Sequence, residues 1–113
     1  MKVSSHHKHA RIAPRKVREF RGAVLGLPVA EAQAQLAWMK GKAPKVLLKV
    51  LNAAVANAVH NHELEKDKLV VADVVVGDGL KMKRYQPAAK GMAHPFVKRT
   101  SHVSISVEDS YGA

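Results

Sequence analysis

Arg11, Arg15, Lys16, Arg18 and Arg21 crowd five cationic side chains into eleven residues, with Glu19 the single carboxylate among them. A second set, Lys81, Lys83, Arg84, Lys90, Lys98 and Arg99, is spread through residues 80–102, where no Asp or Glu occurs. Guanidinium and ammonium groups in such numbers do one kind of chemistry: they bind phosphate or carboxylate groups and release counterions in doing so. Residues 1–21 carry a net charge of +6 and residues 80–102 another +6, while residues 62–79 carry −3. A surface that is only solvated interleaves both signs. Blocks of one sign call for a counter-charge from another molecule, and in a chain of 113 residues with a net charge of +10 that molecule is a polyanion. Nucleic acid is the first candidate and an anionic membrane the second.

Other chemistries find little to work with. His6, His7 and His9, and His60 and His62 beside Glu63, are the concentrations of metal-ligating side chains. Zinc needs four converging ligands of fitted spacing. His60 and His62 stand two residues apart and so do not share a helix face, and no second pair matches them. The chain has no Cys, which removes thiolate sites and disulfides together. No metal and no cofactor is expected. Catalysis has no foothold either: there is no phosphate-cradling Gly loop and no nucleophile elbow, and the acids are few, with Glu63, Glu65 and Asp67 clustered in one polar loop around Glu63–Lys68. No catalytic residue is assigned, and the chain is not expected to be an enzyme. Asn57 and Asn61, one helical turn apart, either fix packing or bind RNA backbone. Apolar runs such as Val74-Val75-Val76 are far shorter than the ~20 residues that span a bilayer. Met1 to His7 lacks the apolar core of a secretory signal, so a cytosolic location is expected.

These side chains must be carried by a small set of elements. Lys2 to His9 reads as an edge strand. Pro14 opens a helix whose buried face is Val17, Phe20 and Val24, at spacings of three and four. Arg15, Lys16, Arg18 and Arg21 fall on its other faces, Gly22 weakens it, and Gly26 with Pro28 stops it. A second helix is predicted from Pro28 or Val29 to Met39 on Val29, Ala32, Leu36 and Met39, and Gly41 ends it. A third, from about Ala43 to Asn61, has the stripe Leu47, Val50, Leu51, Ala54 and Ala58. The period then changes. Leu69–Val76 reads as a buried strand and Val103, Ile105 and Val107, alternating with Ser104 and Ser106, as a half-buried one. The two should pair antiparallel, which makes the fold α+β: three helices on a small antiparallel sheet.

Residues 78–102 lie between those strands with few large apolar groups, with Pro87, Gly91 and Pro95 as breaks, and with six positive charges. Either they form a long functional connection, or the strands continue outward as a ribbon. Ten residues per arm would project roughly 30 Å at about 3.3 Å each. A two-stranded ribbon is marginal alone in water, and its charge says that the surface ordering it is anionic. Tyr85 and Phe96, flanking the tip, either stack on bases or pack across the strands. The expected division is one domain over 1–113, with a body of about 1–77 and 103–113 and an arm of about 78–102.

Four strings in order add a resemblance. Arg11-Ile12-Ala13-Pro14-Arg15-Lys16-Val17-Arg18 and Gly26-Leu27-Pro28-Val29-Ala30-Glu31-Ala32 resemble the first-helix signature and the following turn of the bacterial large-subunit ribosomal protein L twenty-two family. Lys49-Val50-Leu51 with Ala54 to Asn61 resembles that family's third helix, and Lys98-Arg99-Thr100-Ser101-His102-Val103-Ser104-Ile105 its returning strand. The likeness covers about Arg11 to Val107. It implies a structural protein of the large subunit that binds 23S-type rRNA during assembly, as a monomer among neighbouring ribosomal proteins, with no membrane partner, in the cytoplasm or on an organellar ribosome. It implies rRNA contacts at Lys8, Arg11, Arg15, Lys16, Arg18, Arg21, Lys42, Lys81, Lys83, Arg84, Lys90, Lys98, Arg99, Thr100 and His102. It also implies that the tip, Gln86, Pro87, Ala88, Ala89, Lys90, Gly91 and Met92, reaches the wall of the nascent-peptide exit tunnel. The tip departs from the family in carrying Ala88 where Arg is common and Met92 where a basic or polar residue is. A DNA-bending nucleoid-type protein, also a helical body with basic β-arms and an apolar wedge such as Pro87, is the alternative from charge alone, and the four strings do not resemble it.

Overall fold

The computed structural model describes residues 2–87 and 93–109, and the side chains of all of these except 80, 82–87 and 93–96. The chain runs β1 (Lys2–Ala10), α1 (Pro14–Arg18), α2 (Arg21–Val24), α3 (Val29–Trp38), α4 (Lys42–His62), a 3₁₀ turn (Lys66–Lys68), β2 (Val70–Pro87) and β3 (Ala93–Glu108). The strands form one antiparallel sheet in the order β1-β3-β2, so the last strand is the central one. The architecture is α+β.

The segment from Pro14 expected as one helix is broken in two. Phe20 N–H bonds the Val17 carbonyl (3.1 Å) and Ala23 N–H the Phe20 carbonyl (3.2 Å). These are i to i+3 contacts that tighten the chain where Gly22 offers little helix propensity. The apolar spacing nevertheless does its work, for Val17 and Val24 are fully buried and Phe20 partly. α4 carries the predicted stripe Leu47, Val50, Leu51, Ala54 and Ala58, all buried. Complete burial of Leu47 and Leu51 stabilises the fold by roughly 1.5–3 kcal/mol each. The buried alanines that follow, Ala54 and Ala58, let the helix lie close to the sheet.

β3 shows the two-residue period in full. Val103, Ile105 and Val107 are buried against the helices, while Ser104 and Ser106 face outward and bond across to β1. Ser106 Oγ pairs with Ser4 Oγ at 2.8 Å and Ser104 Oγ with His6 Nδ1 at 2.6 Å. β2 departs from the expectation of a strand buried throughout. Its register shifts between Val71 and Asp73, so Val71 and Val74, three apart, both reach the core. Val74 and Val76 then point in, and Val75 is 53% exposed. The outer edge of β2 is not left open at its start. Gly26 N–H bonds the Val71 carbonyl, Val71 N–H the Leu27 carbonyl and Val29 N–H the Leu69 carbonyl, at 2.9–3.0 Å. The loop between α2 and α3 thus covers an edge that would otherwise pair with other chains. Gly26 makes this possible with φ of 83°, where a side chain would be strained.

Further along the ladder the β2–β3 pairing shifts again. Asp78 pairs with Ser101 and Lys81 with Arg99, leaving Gly79 and Leu80 opposite Thr100 alone. Such a bulge bends and twists the ladder. A Cβ on Gly79 would stand 2.5 Å from Thr100 Oγ1 and 3.2 Å from the Thr100 carbonyl carbon and oxygen. Gly79→Ala should therefore destabilise the protein by about 1–3 kcal/mol, seen as a lower midpoint of thermal unfolding. An unchanged midpoint would contradict the close approach of the two strands there.

Candidate nucleic-acid interface

The segment Arg11–Ala13, joining β1 to α1, is held from two sides. Ser101 on β3 is fully buried and its hydroxyl donates to the Ile12 carbonyl at 2.8 Å. From the first turn of α4, Lys42 Nζ donates to the Arg11 carbonyl. Strand, helix start and joint are thereby locked together. Between them lies an open groove of about 1100 Å³. Its floor includes Ile12, Ala13, Ala43 and the buried Thr100, and its walls carry Arg11, Arg15, Lys16, Lys42, Lys98 and Arg99. Glu19 is the acid in that lining.

Two further features make the groove attractive to anions. The N-terminus of the 21-residue helix α4 opens on it through Gly41, Lys42 and Ala43, with no acid in its first turn and no side-chain cap. Its partial positive charge and unpaired N–H groups therefore face the groove. α1, only five residues long, adds little dipole of its own. The sheet supplies the second feature: Lys81 on β2 pairs in register with Arg99 on β3. Like charges directly opposite are destabilising unless an anion lies over them.

The structure distributes the expected contact residues unequally. Arg11, Arg15, Lys16, Lys42, Lys98 and Arg99 share the groove, and Lys81 stands on the strand beside it. Arg18 turns away and donates to the Val76 carbonyl at 3.0 Å, fastening α1 to β2. Arg21 meets Asp73 at 3.5 Å, both about half exposed, a pair worth at most about 1 kcal/mol. Lys8 is exposed on β1, where the register slips between His7 and Ala10. His9 adopts φ of 58° there and its N–H donates to His102 Nδ1 at 3.1 Å. The two rings meet edge to face at 4.6 Å, so His102 is half-buried inside a protein contact. Thr100 is floor, not wall. Lys83, Arg84, Tyr85, Gln86, Pro87 and Phe96 have side chains outside those described, and Ala88, Ala89, Lys90, Gly91 and Met92 lie outside the described residues.

Asn57 and Asn61 take part in bonds within the protein. Asn57 Nδ2 donates to the Ser4 carbonyl at 3.4 Å and Asn61 Nδ2 to Asn57 Oδ1, which ties α4 to β1. Among the described residues no three His, Asp or Glu side chains converge on a metal position. None of the helices there is long and apolar enough to cross a membrane. The Ser101–Ile12 bond and the approach of Gly41 and Ala43 were not anticipated from the sequence. The Gly41-Lys42 pair ahead of a long helix without an early acid was the available signal.

The groove's supports and its walls should respond oppositely to substitution. Ser101→Ala leaves a buried carbonyl unsatisfied and should cost about 1–3 kcal/mol. Arg15→Ala removes one of several crowded cations and should leave the thermal midpoint unchanged or raise it, most visibly at low salt. Unfolding curves of the two variants at low and moderate salt check both signs. Compared with known families, residues 5–108 of the chain match the family described as Ribosomal protein L22p/L17e.

Proposed function

The chain belongs to the ribosomal protein L22p/L17e family, structural proteins of the large ribosomal subunit, and we propose that it binds large-subunit rRNA through the basic groove. The observation that carries this reading is the convergence of six cations from three separate segments on one concave surface. Such an arrangement suits phosphate oxygens of a folded RNA backbone, recognised by charge and shape instead of base sequence. The rRNA contacts assigned to it are Arg11, Arg15, Lys16, Lys42, Lys98 and Arg99, with Lys81 alongside. Arg18 and Arg21 serve chiefly to position α1 and α2.

The second part of the proposal concerns residues 78–102. The β2–β3 register continues past the Gly79 bulge to Pro87↔Ala93. The principal extents are 65 × 25 × 17 Å and the radius of gyration is 17.1 Å, against about 13 Å for a compact chain of this length. These dimensions support a ribbon that leaves the body as an arm. We assign that arm, with Lys83, Arg84 and Lys90, to a path along rRNA, and its tip, residues 86–92, to the wall of the nascent-peptide exit tunnel. The protein would act there as a monomer among other ribosomal proteins during and after assembly.

Two measurements test this. Binding to large-subunit rRNA fragments should weaken steeply with salt, and replacing Lys98 and Arg99 by Ala should flatten the slope of log K against log salt by roughly one to two units. An unchanged slope would remove those residues from the phosphate contacts. Deleting Lys83 to Lys90 should leave cooperative unfolding of the body intact and rRNA binding measurable. If the body unfolds instead, the arm is part of the core.

A further inference from the structure

Trp38 is the only tryptophan in the chain, and at the end of α3 it is 86% exposed. Leaving so large an apolar ring in water forgoes the stabilisation that its burial would give. It does not stand alone. Phe20, Trp38, Met39 and Lys40 line a shallow recess of about 500 Å³. Phe20 also lines the basic groove, so the recess and the groove share a wall residue. No carboxylate lines the recess, and the charge at its rim is Lys40.

A flat aromatic face beside cations is how proteins take up an unstacked base: the ring stacks on the base while neighbouring Lys or Arg holds its phosphates. Resting on the rRNA-binding reading above, we propose that Trp38 is a stacking platform for an unpaired nucleobase of the same RNA strand whose phosphates occupy the groove. The occupant follows from charge complementarity. An apolar segment of a neighbouring protein would be served by the ring but not by Lys40 and the cationic groove beyond it. A nucleotide uses all of them. The assignment places one unpaired residue at the helix end and the backbone on either side of it along Lys40 and Lys42.

Trp38 reports on itself, since its fluorescence is the chain's only indole signal. The full chain is titrated with single-stranded polyadenylate and, separately, with a fully paired RNA duplex. Polyadenylate should quench the indole and the duplex should not. Trp38→Ala should weaken polyadenylate binding roughly tenfold with the salt slope unchanged, Trp38→Phe should restore most of the loss, and duplex binding should be the same for all three proteins. Since the ring is exposed, the variants should unfold at the wild-type temperature. If polyadenylate and duplex bind with steep salt dependence yet leave the indole unquenched, and Trp38→Ala leaves the polyadenylate affinity unchanged, the stacking assignment is overturned and the groove reading stands. If rRNA fragments, polyadenylate and duplex all fail to bind, the groove reading fails and the stacking assignment with it.

Discussion

A strand that leaves a sheet to start a helix gives up its ladder partners, and the carbonyls at the joint must find donors elsewhere or remain unsatisfied. In this protein the Ile12 carbonyl finds the Ser101 hydroxyl, 2.8 Å away and buried with it. The rest of the interface depends on that bond. Ser101 belongs to the central strand, immediately after Lys98, Arg99 and Thr100. Ile12 sits between Arg11 and the helix that carries Arg15 and Lys16. One hydroxyl therefore sets the distance between two cationic walls that are almost ninety residues apart in the chain. Lys42 repeats the arrangement from the other side by bonding the Arg11 carbonyl. An ammonium group spent on a backbone carbonyl keeps its full charge, so the clamp adds to the field it helps to build.

β3 divides its labour along its length. From Val103 to Val107 alternate residues are buried and the strand acts as the keel of the core. Around Thr100 and His102 both neighbouring strands slip register, β2 at Gly79–Leu80 and β1 at Lys8–His9. Two bulges at one level twist the ladder sharply and release the strand from the helices, so that Lys98 and Arg99 emerge exposed. The same irregularity explains two local features that look unrelated. Gly79 is present because Thr100 approaches its backbone too closely for a Cβ, and His9 tolerates a left-handed backbone because its N–H gains the His102 ring nitrogen. At His9 the local conformational cost is offset by a contact that the register slip provides.

How much of this could be read beforehand follows from what each feature depends on. Helices α3 and α4 and the wet and dry faces of β3 were legible because period and burial are local consequences of sequence. The concentration of cations was legible too, because charge adds up without knowledge of the fold. The break between α1 and α2 and the outward turn of Val75 were not: the first depends on 3₁₀ contacts at Phe20, the second on a one-residue shift that flips the alternation. Least legible was which cation does what. Arg15 and Arg18 look equivalent on paper, yet one faces the groove and the other bonds the Val76 carbonyl, a partner 58 residues away that no local pattern reveals. The family match over residues 5–108 separates a ribosomal protein from a DNA-bending one, which charge and β-arms alone did not.

The side chains committed to internal bonds and those left facing the groove follow a physical division. Arg18 and Arg21 have a carbonyl or a carboxylate within reach and bond it while staying exposed. In the groove Arg11, Arg15, Lys16, Lys98 and Arg99 crowd together with Glu19 as the carboxylate in the lining, and Lys81 faces Arg99 across the ladder. Repulsion of this kind is tolerable while water and salt screen it, but like charges directly opposite on a ladder work against the fold. A polyanion reverses the sign of each of those terms at once. Because a ligand that binds only the folded state stabilises it by mass action, the proposed occupancy of the groove by RNA would couple the folding of this chain to binding. On that reading the charges that repel one another in the free protein are the ones that would hold it in place.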